Sequence, residues 1–322
     1  MATITAPQNV VAGALAALAA VFAFSLNDVS IKFLSGDYAL HQIVLIRSVI
    51  GMVVLMAVIV PLEGGLNVLK TRRLGAHVFR GLCVVFANMM FFLGLAVMPL
   101  ADTVAIFFIS PLIITALSVV LLGESVGPRR WGAVAVGLVG VVVMLRPGSG
   151  SFQVASLFPL AAAFGYAFLH IMTRRIGATE SAATMAVYIQ AVFIVTSGAI
   201  GLWLGQGQYS GQGGVSLEFV LRGWIWPAPG DYPVLVGIGF ASAFGGYFIS
   251  QAYRQCEAAI VAPLEYIAMP MAVFWGVVIF NEWPDGTAWL GMILIMGAGL
   301  FLFLREMVQE RRLKPRLPPS AR

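Results

Sequence analysis

Charge is scarce in this chain. Of 322 residues only 10% are Asp, Glu, Lys or Arg and 60% are hydrophobic, against about a quarter charged in an ordinary soluble domain. With a mean hydropathy of +0.93, that composition excludes a soluble globular protein. Cysteine is nearly absent: Cys83 and Cys256 are too few for a disulfide framework and lack metal-ligand spacing, so both read as packing residues. There is no Walker loop, no HExxH and no GxSxG, which leaves nucleotide hydrolysis and zinc or serine hydrolysis without a motif. No filter-like loop of the kind a channel needs is evident. Met1–Val10 carries no Lys or Arg, and no small-residue cleavage site follows Val11–Phe24, so no cleavable signal is expected. No catalytic residue, cofactor or metal is expected either.

What the chain has is long apolar runs. A membrane-spanning helix needs about 20 mostly apolar residues, and ten runs of that order occur, at roughly 11–34, 41–61, 76–97, 101–122, 129–145, 155–173, 182–204, 233–255, 258–281 and 284–304. The fifth (Gly132, Ala135, Gly137, Gly140) and the tenth (Gly291, Gly297, Ala298, Gly299) are rich in small residues. Small residues let helix backbones approach closely, so both runs are expected to pack tightly against a neighbour or a second protomer, in a monomer or a homodimer.

Lys and Arg are retained in cytoplasmic loops. With the N-terminus inside, the inner segments hold Lys70, Arg72, Arg73, Arg80, Arg129, Arg130, Arg174, Arg175, Arg254 and six more from Arg305 onward, which is fifteen of nineteen. Only Lys32, Arg47, Arg146 and Arg222 are left over. The +5 net charge therefore fits topology and the lipid bilayer better than nucleic acid. The expected organisation is all-α, with ten transmembrane helices and both termini cytoplasmic. A short tail at 1–10 precedes one five-helix half at 11–146 and another at 147–304, with a basic cytoplasmic tail at 305–322 that is expected to fray. Five being odd, the halves insert inverted. The long Gln206–Pro233 segment, placed outside, is expected to hold a short helix capped by Ser216, with Trp224 and Trp226 at headgroup level or, alternatively, a gating lid.

A repeated pattern supports the two halves. In Ala101–Trp131, Pro111 is followed thirteen residues later by Glu124 and seven further by Trp131; in Glu257–Trp289, Pro270, Glu282 and Trp289 are spaced twelve and seven. One pattern carried twice, half a chain apart, marks an internal repeat, and in a membrane protein it points to a transporter.

Ionisable groups inside hydrocarbon cost about 2.5–3.5 kcal/mol or more at a helix centre, so those that persist face a partner or a wet cavity. Asp28 and Lys32 are four apart on the first run, on one face and able to pair. Ser25 and Asn27 stand beside them and Arg47 begins the second run. The plainer reading has Lys32 and Arg47 snorkelling to the outer interface with Asp28 as a neutralising neighbour. Glu265 lies inside the ninth run between Pro263 and Pro270, whose missing N–H groups bend or break a helix and free carbonyls. A carboxylate beside a broken helix suits a substrate, ion or proton site; its plainer reading is a protonated glutamate bonded to a neighbouring helix. Asp102 and Glu257 stand where they complement helix N-termini, and Glu124 and Glu282 read as boundary markers. Asn88, His170 and Gln190 are single polar residues that suit interhelical hydrogen bonds. Aromatic residues, Tyr166 and Tyr188 among them, can line a pocket or simply pack.

The two copies ADTVAIFFISPLI…LLGESVGPRRWGAVAVGLVGVVVML and EAAIVAPLEYIAMPM…IFNEWPDGTAWLGMILIMGAGLFLFL, with NDVSIKFL before a run opening IVLIRS, resemble the drug/metabolite transporter superfamily, EamA-type branch, from Val11 to Leu304. The resemblance implies two inverted five-helix repeats around a central cavity and alternating access across the inner membrane. On that reading the cavity is lined from runs 1, 3, 4, 6, 8 and 9, with Asn27, Lys32, Asn88, Tyr166, Tyr188 and Glu265 as solute contacts and Asp28, Arg47, Glu265, Pro111 and Pro270 in coupling or gating. Export of a small amphipathic metabolite such as an amino acid is the leading expectation, with proton coupling through Glu265. An uptake carrier for a larger aromatic, vitamin or nucleoside-type compound is the nearest rival. From another class, a membrane-embedded enzyme on a lipid-linked substrate would need Asp28, Asp102 and Glu265 to converge.

Overall fold

The computed structural model describes residues 10–123, 127–146, 154–176, 181–212, 214–255, 261 and 264–313, and among them every regular element is helical. We number the helices α1 (Val10–Leu34), α2 (Leu40–Val54, continued through a wide turn to Leu62), α3 (Leu74–Leu95), α4 (Leu100–Phe107), α5 (Ser110–Leu122), α6 (Pro128–Leu145), α7 (Leu157–Ile176), α8 (Ala182–Leu204), α9 (Val215–Leu221), α10 (Tyr232–Gln255), α11 (Ala268–Phe280) and α12 (Gly286–Leu313). Helices are what apolar runs must form in lipid, where each backbone polar group has to be satisfied within its own segment. Among the described residues seven, counting α4 and α5 as one stretch, are long and apolar enough to cross a membrane; three further apolar helices, Trp131–Leu145, Ala268–Phe280 and Gly286–Leu302, are shorter.

Two of the runs are interrupted at matching places. In the first, α4 stops at Phe107, Phe108 and Ile109 form a turn, and α5 restarts with Pro111 in its first turn, where a missing N–H does no harm. In the second, Tyr266 and Ile267 form the turn and α11 restarts with Pro270 in its first turn. The helices end alike too. Gly123 (φ 69) and Asn281 (φ 54) both adopt the left-handed conformation that terminates a helix, each directly before a glutamate in the sequence. Matching the turns puts Tyr266 opposite Phe108 and Glu265 opposite Phe107.

The most extensive helix pairings have counterparts when the first and second parts of the chain are exchanged, while several smaller ones do not. The pair α1 and α10 exchanges with α3 and α7, α2 and α10 with α3 and α8, and α1 and α11 with α5 and α7; α6 with α12, α2 with α8 and α4 with α11 map onto themselves. The small-residue runs pack on each other within this chain. A Cβ on Gly291 would lie 2.2 Å from Met144 Cγ and 3.0 Å from the Gly140 carbonyl, and one on Gly140 only 2.9 Å from Ile295, so α6 and α12 approach as closely as glycine allows.

Two expectations are corrected. α12 continues to Leu313 instead of fraying after Leu304, as a stretch of Arg, Glu, Met and Gln favours. Between α8 and α10, Ser216 does not cap α9, which starts from Gly214; its hydroxyl donates instead to the Leu93 carbonyl at 3.1 Å. Trp224 packs against Gly201, its indole N–H donating to His41 Nδ1 at 2.5 Å, and is 39% exposed, against 88% for Trp226. Gln42 grips the Ile225 peptide from both sides, donating to its carbonyl at 2.6 Å and accepting from its N–H at 3.3 Å. Tyr38 donates to Asp231 at 2.5 Å and accepts from the Ala228 N–H at 2.9 Å. The segment is thus strapped across the α1–α2 turn.

Candidate functional site

Four of the polar residues singled out in the sequence converge where α1, α2 and α3 meet. Arg47 is 3% exposed, and a guanidinium so deep must have its donors met. One of its amino groups donates to Asn27 Oδ1 at 3.1 Å and the other to Asn88 Oδ1 at 2.8 Å. Asn27 in turn donates to Asp28 Oδ1 at 3.1 Å. The rings of Phe92 and Phe193 lie 5.6 Å and 5.1 Å from the guanidinium carbon, one from α3 and one from α8, within the range at which a ring face attracts a cation. Arg47 is therefore no snorkelling residue but the hub of a buried network. Its Nε, with Ser48 Oγ and Gln190 Oε1, is buried without a hydrogen-bond partner among the described residues; such atoms mark where water or a bound polar group belongs.

From Arg47 an unbroken series of rings leads to the other interrupted helix. Phe92 touches Phe91 at 5.4 Å between centroids, Phe91 touches Phe107 at 5.3 Å, Phe107 touches Phe108 at 6.1 Å and Phe108 touches Tyr266 at 5.2 Å. Tyr166, from α7, joins at Phe107 (5.2 Å) and carries His170 beside it (4.4 Å). Glu265 lies within electrostatic reach of both Tyr166 and Tyr266. Cation and carboxylate thus stand at opposite ends of an aromatic path, built partly from the residues that break α4 and precede α11. Phe107, the last residue of α4, and Phe108, the first of the turn, stand edge to face (90°).

Lys32 lies apart from this group. Its ammonium bonds Glu282 Oε1 at 2.6 Å, Glu282 Oε2 at 2.8 Å and the Met98 carbonyl at 2.6 Å. The ion pair expected with Asp28 from their spacing is replaced by one with a residue 250 positions away. Glu282 also accepts from the Leu100 N–H at 2.9 Å, so it and not Asp102 supplies the hydrogen bond that caps α4. Tyr188 lies elsewhere, stacked on His77 at 4.8 Å and donating to the Leu69 carbonyl at 3.0 Å, which makes it a tie for the α2–α3 connection. Pro111 and Pro270 sit just past the two turns, as described above. Gln190 makes the interhelical bond expected of it, donating to Ser242 at 3.1 Å. Pro263, Glu257, Glu124 and Cys256 lie outside the described residues.

Phe92 and Phe193 were not legible as site residues. Each is one aromatic among many in an apolar run, and only the fold tells a ring that faces Arg47 from one that faces lipid.

Residues 11–146 match the model of the EamA-like transporter family. Over 282 residues the chain is 29% identical to a protein named S-adenosylmethionine uptake transporter from Rickettsia prowazekii (strain Madrid E), covering 88% of this chain and 89% of that one. It is 28% identical to a riboflavin transporter from Rhizobium johnstonii, with 95% of each covered. A pseudopaline exporter from Pseudomonas aeruginosa is 25% identical over 90% of this chain and 95% of its own. A solved crystal structure shares the fold at a TM-score of 0.63, with 18% identity over 94% of this chain and 99% of that one.

Proposed function

We propose, from the premise that the chain is a multi-pass membrane transporter of the EamA-like, drug/metabolite type, that it carries a planar aromatic solute with polar groups into the cell across a bacterial inner membrane. The observation that carries this reading is the aromatic path between Arg47 and Glu265. Stacked and edge-on rings suit a flat heteroaromatic system, and each aromatic pair contributes about 0.5–1.5 kcal/mol beyond its burial. A guanidinium at one end and a carboxylate at the other suit the polar ends of such a molecule. Riboflavin and S-adenosylmethionine, the solutes in the names of two relatives, both carry a planar heteroaromatic ring.

In this reading Arg47, positioned by Asn27 and Asn88, meets an acceptor on the solute; Tyr166 and Tyr266 stack on its ring; Glu265 receives a cationic group or a proton. Ten spans form two inverted halves, 11–146 and 147–304, with both termini cytoplasmic. The paired helix breaks, the exchange symmetry of the packing and the Lys and Arg distribution support that topology. Alternating access follows when one half rocks against the other around a fixed site. Export, the leading expectation from the sequence, keeps one observation in its favour, the exporter name of the Pseudomonas relative. Amino acids lose ground because the aromatic path exceeds what a small aliphatic zwitterion can use.

The test is ligand stabilisation. A solute that binds only the folded state raises the apparent midpoint, so purified protein is heated with flavins, adenosyl compounds and amino acids in turn. Stabilisation by ring-bearing solutes alone supports the reading; stabilisation by aliphatic amino acids alone overturns it.

A further inference from the structure

The α11–α12 turn carries two acidic residues three positions apart, and each is paired with a helix end from the first half of the chain. Glu282 holds Lys32 near the end of α1, and Asp285 accepts from Arg146, the left-handed residue that ends α6. The two pairs differ in setting. Arg146 and Asp285 are 30% and 55% exposed, where solvent weakens an ion pair, whereas Lys32 and Glu282 are only 10% and 27% exposed. Lys32 is further held by the Met98 carbonyl and lies 5.0 Å from the Phe280 ring. Glu282 in addition accepts the Leu100 N–H. One carboxylate therefore ties together the ends of α1, α4 and α11. Its placement is set by the left-handed Asn281, after which the Glu282 N–H turns back to the Gly276 carbonyl at 2.9 Å.

We infer that this turn is the gate at the Lys32 end of the transporter and that Glu282 is its bolt. The inference rests on the transporter reading, since only a protein that opens at both ends needs such a lock. A low-dielectric setting makes the pair strong while closed. Opening exchanges it for solvation at the mouth, so the pair behaves as a two-state element and not as a passive tie. In the repeated Pro, Glu and Trp pattern of the sequence, Glu124 stands where Glu282 stands. Lys32 and Glu282 are thus gating residues, distinct from the solute contacts around Arg47.

The test reads distance and needs no solute. Gly36 and Gly286 flank the gate from the α1–α2 and α11–α12 turns, and a Cβ at either meets open space. In a background with Cys83 and Cys256 replaced by Ser, spin labels at Gly36→Cys and Gly286→Cys in lipid nanodiscs give the distance distribution by pulsed electron resonance. The expected result is a dominant short population in the parent, a shift to a longer one in Glu282→Gln, and return to the short one in the exchanged pair Lys32→Glu with Glu282→Lys. Arg146→Gln, which breaks only the exposed pair, is expected to leave the short population dominant. An unshifted distance in a stably inserted Glu282→Gln overturns the inference, even if its melting temperature falls, since that is how a merely structural tie behaves. A shifted distance that the exchanged pair fails to restore overturns it as well. Distances that respond as expected in a protein that no solute stabilises would keep the gate and remove the solute reading; solute stabilisation with unresponsive distances would do the reverse.

Discussion

The Phe108 and Tyr266 rings meet at 5.2 Å although they come from opposite halves of the chain, and each occupies the turn that interrupts its own helix. The two breaks thus converge, and the residues freed from helical geometry face each other. Behind Tyr266 its hydroxyl presses on α12, where a Cβ on Gly299 would come within 1.7 Å. If this pair forms one wall of the solute site, Phe108→Leu weakens the binding of a ring-bearing solute by roughly 2- to 10-fold, the equivalent of one aromatic contact. A titration followed by thermal stabilisation measures it; undiminished affinity places the pair outside the site.

Arg47 tests the polar end. Its two amino groups reach Asn27 and Asn88 on different helices, a fork that a single ammonium does not reproduce. Arg47→Lys is expected to insert normally, to lose about 1.5–3 kcal/mol for the charged hydrogen bond it cannot make, and to abolish stabilisation by solute. A Lys variant with wild-type melting and wild-type binding would remove Arg47 from its assigned role.

The α6–α12 contact makes a prediction with an internal control. Gly291→Val forces a side chain against Met144 and the Gly140 carbonyl and is expected to destabilise by roughly 1–3 kcal/mol through overpacking. Gly297, on the same helix, has open space where a Cβ would go. Gly297→Ala should be neutral or slightly stabilising, because alanine suits a helix better by about 1 kcal/mol. Melting of the two variants side by side decides it; equal losses would show that close approach is not what matters there.

Acid should loosen the α11–α12 turn. The hydrogen bond from Arg146, and next to it the Ala288 N–H, hold the Asp285 carboxyl down to about 2 from an ordinary 3.8. A carboxylate depressed on folding stabilises the protein above its unfolded value and ceases to as pH falls through its folded one. The contribution is therefore complete above pH 3.8 and lost towards pH 2; it is small, because the pair is exposed. Asp285→Asn is expected to melt slightly lower than the parent at pH 6 and to converge with it near pH 2, and a constant gap across that window would contradict the assignment.

Much of the helical layout is visible in the sequence because lipid imposes it. Apolar run length places a helix in each of the ten runs, and Pro270 points to the interruption in the ninth, while that in the fourth was not foreseen. Residue type alone picks out Asn27, Arg47 and Asn88, since buried polar groups in an apolar run need partners. Their pairing was hidden, because it depends on how α1, α2 and α3 turn toward one another. Lys32 shows the limit most clearly. Its i,i+4 neighbour Asp28 is the partner that local geometry offers, yet tertiary packing delivers Glu282 from the far end of the chain. The signal was present but weak: both residues lie at run ends that the charge distribution puts on the same side. Tyr188 is an aromatic polar residue whose hydroxyl donates to the Leu69 carbonyl, a pairing that residue type alone does not foretell.

Solute counterflow in proteoliposomes tests the central claim most directly. Vesicles holding the protein and preloaded with unlabelled riboflavin or S-adenosylmethionine are diluted into a trace of the same labelled compound, with leucine run in parallel. The account predicts transient accumulation of at least one ring-bearing label, lost in Arg47→Lys, and none of leucine. Accumulation of leucine without either ring-bearing compound would contradict it.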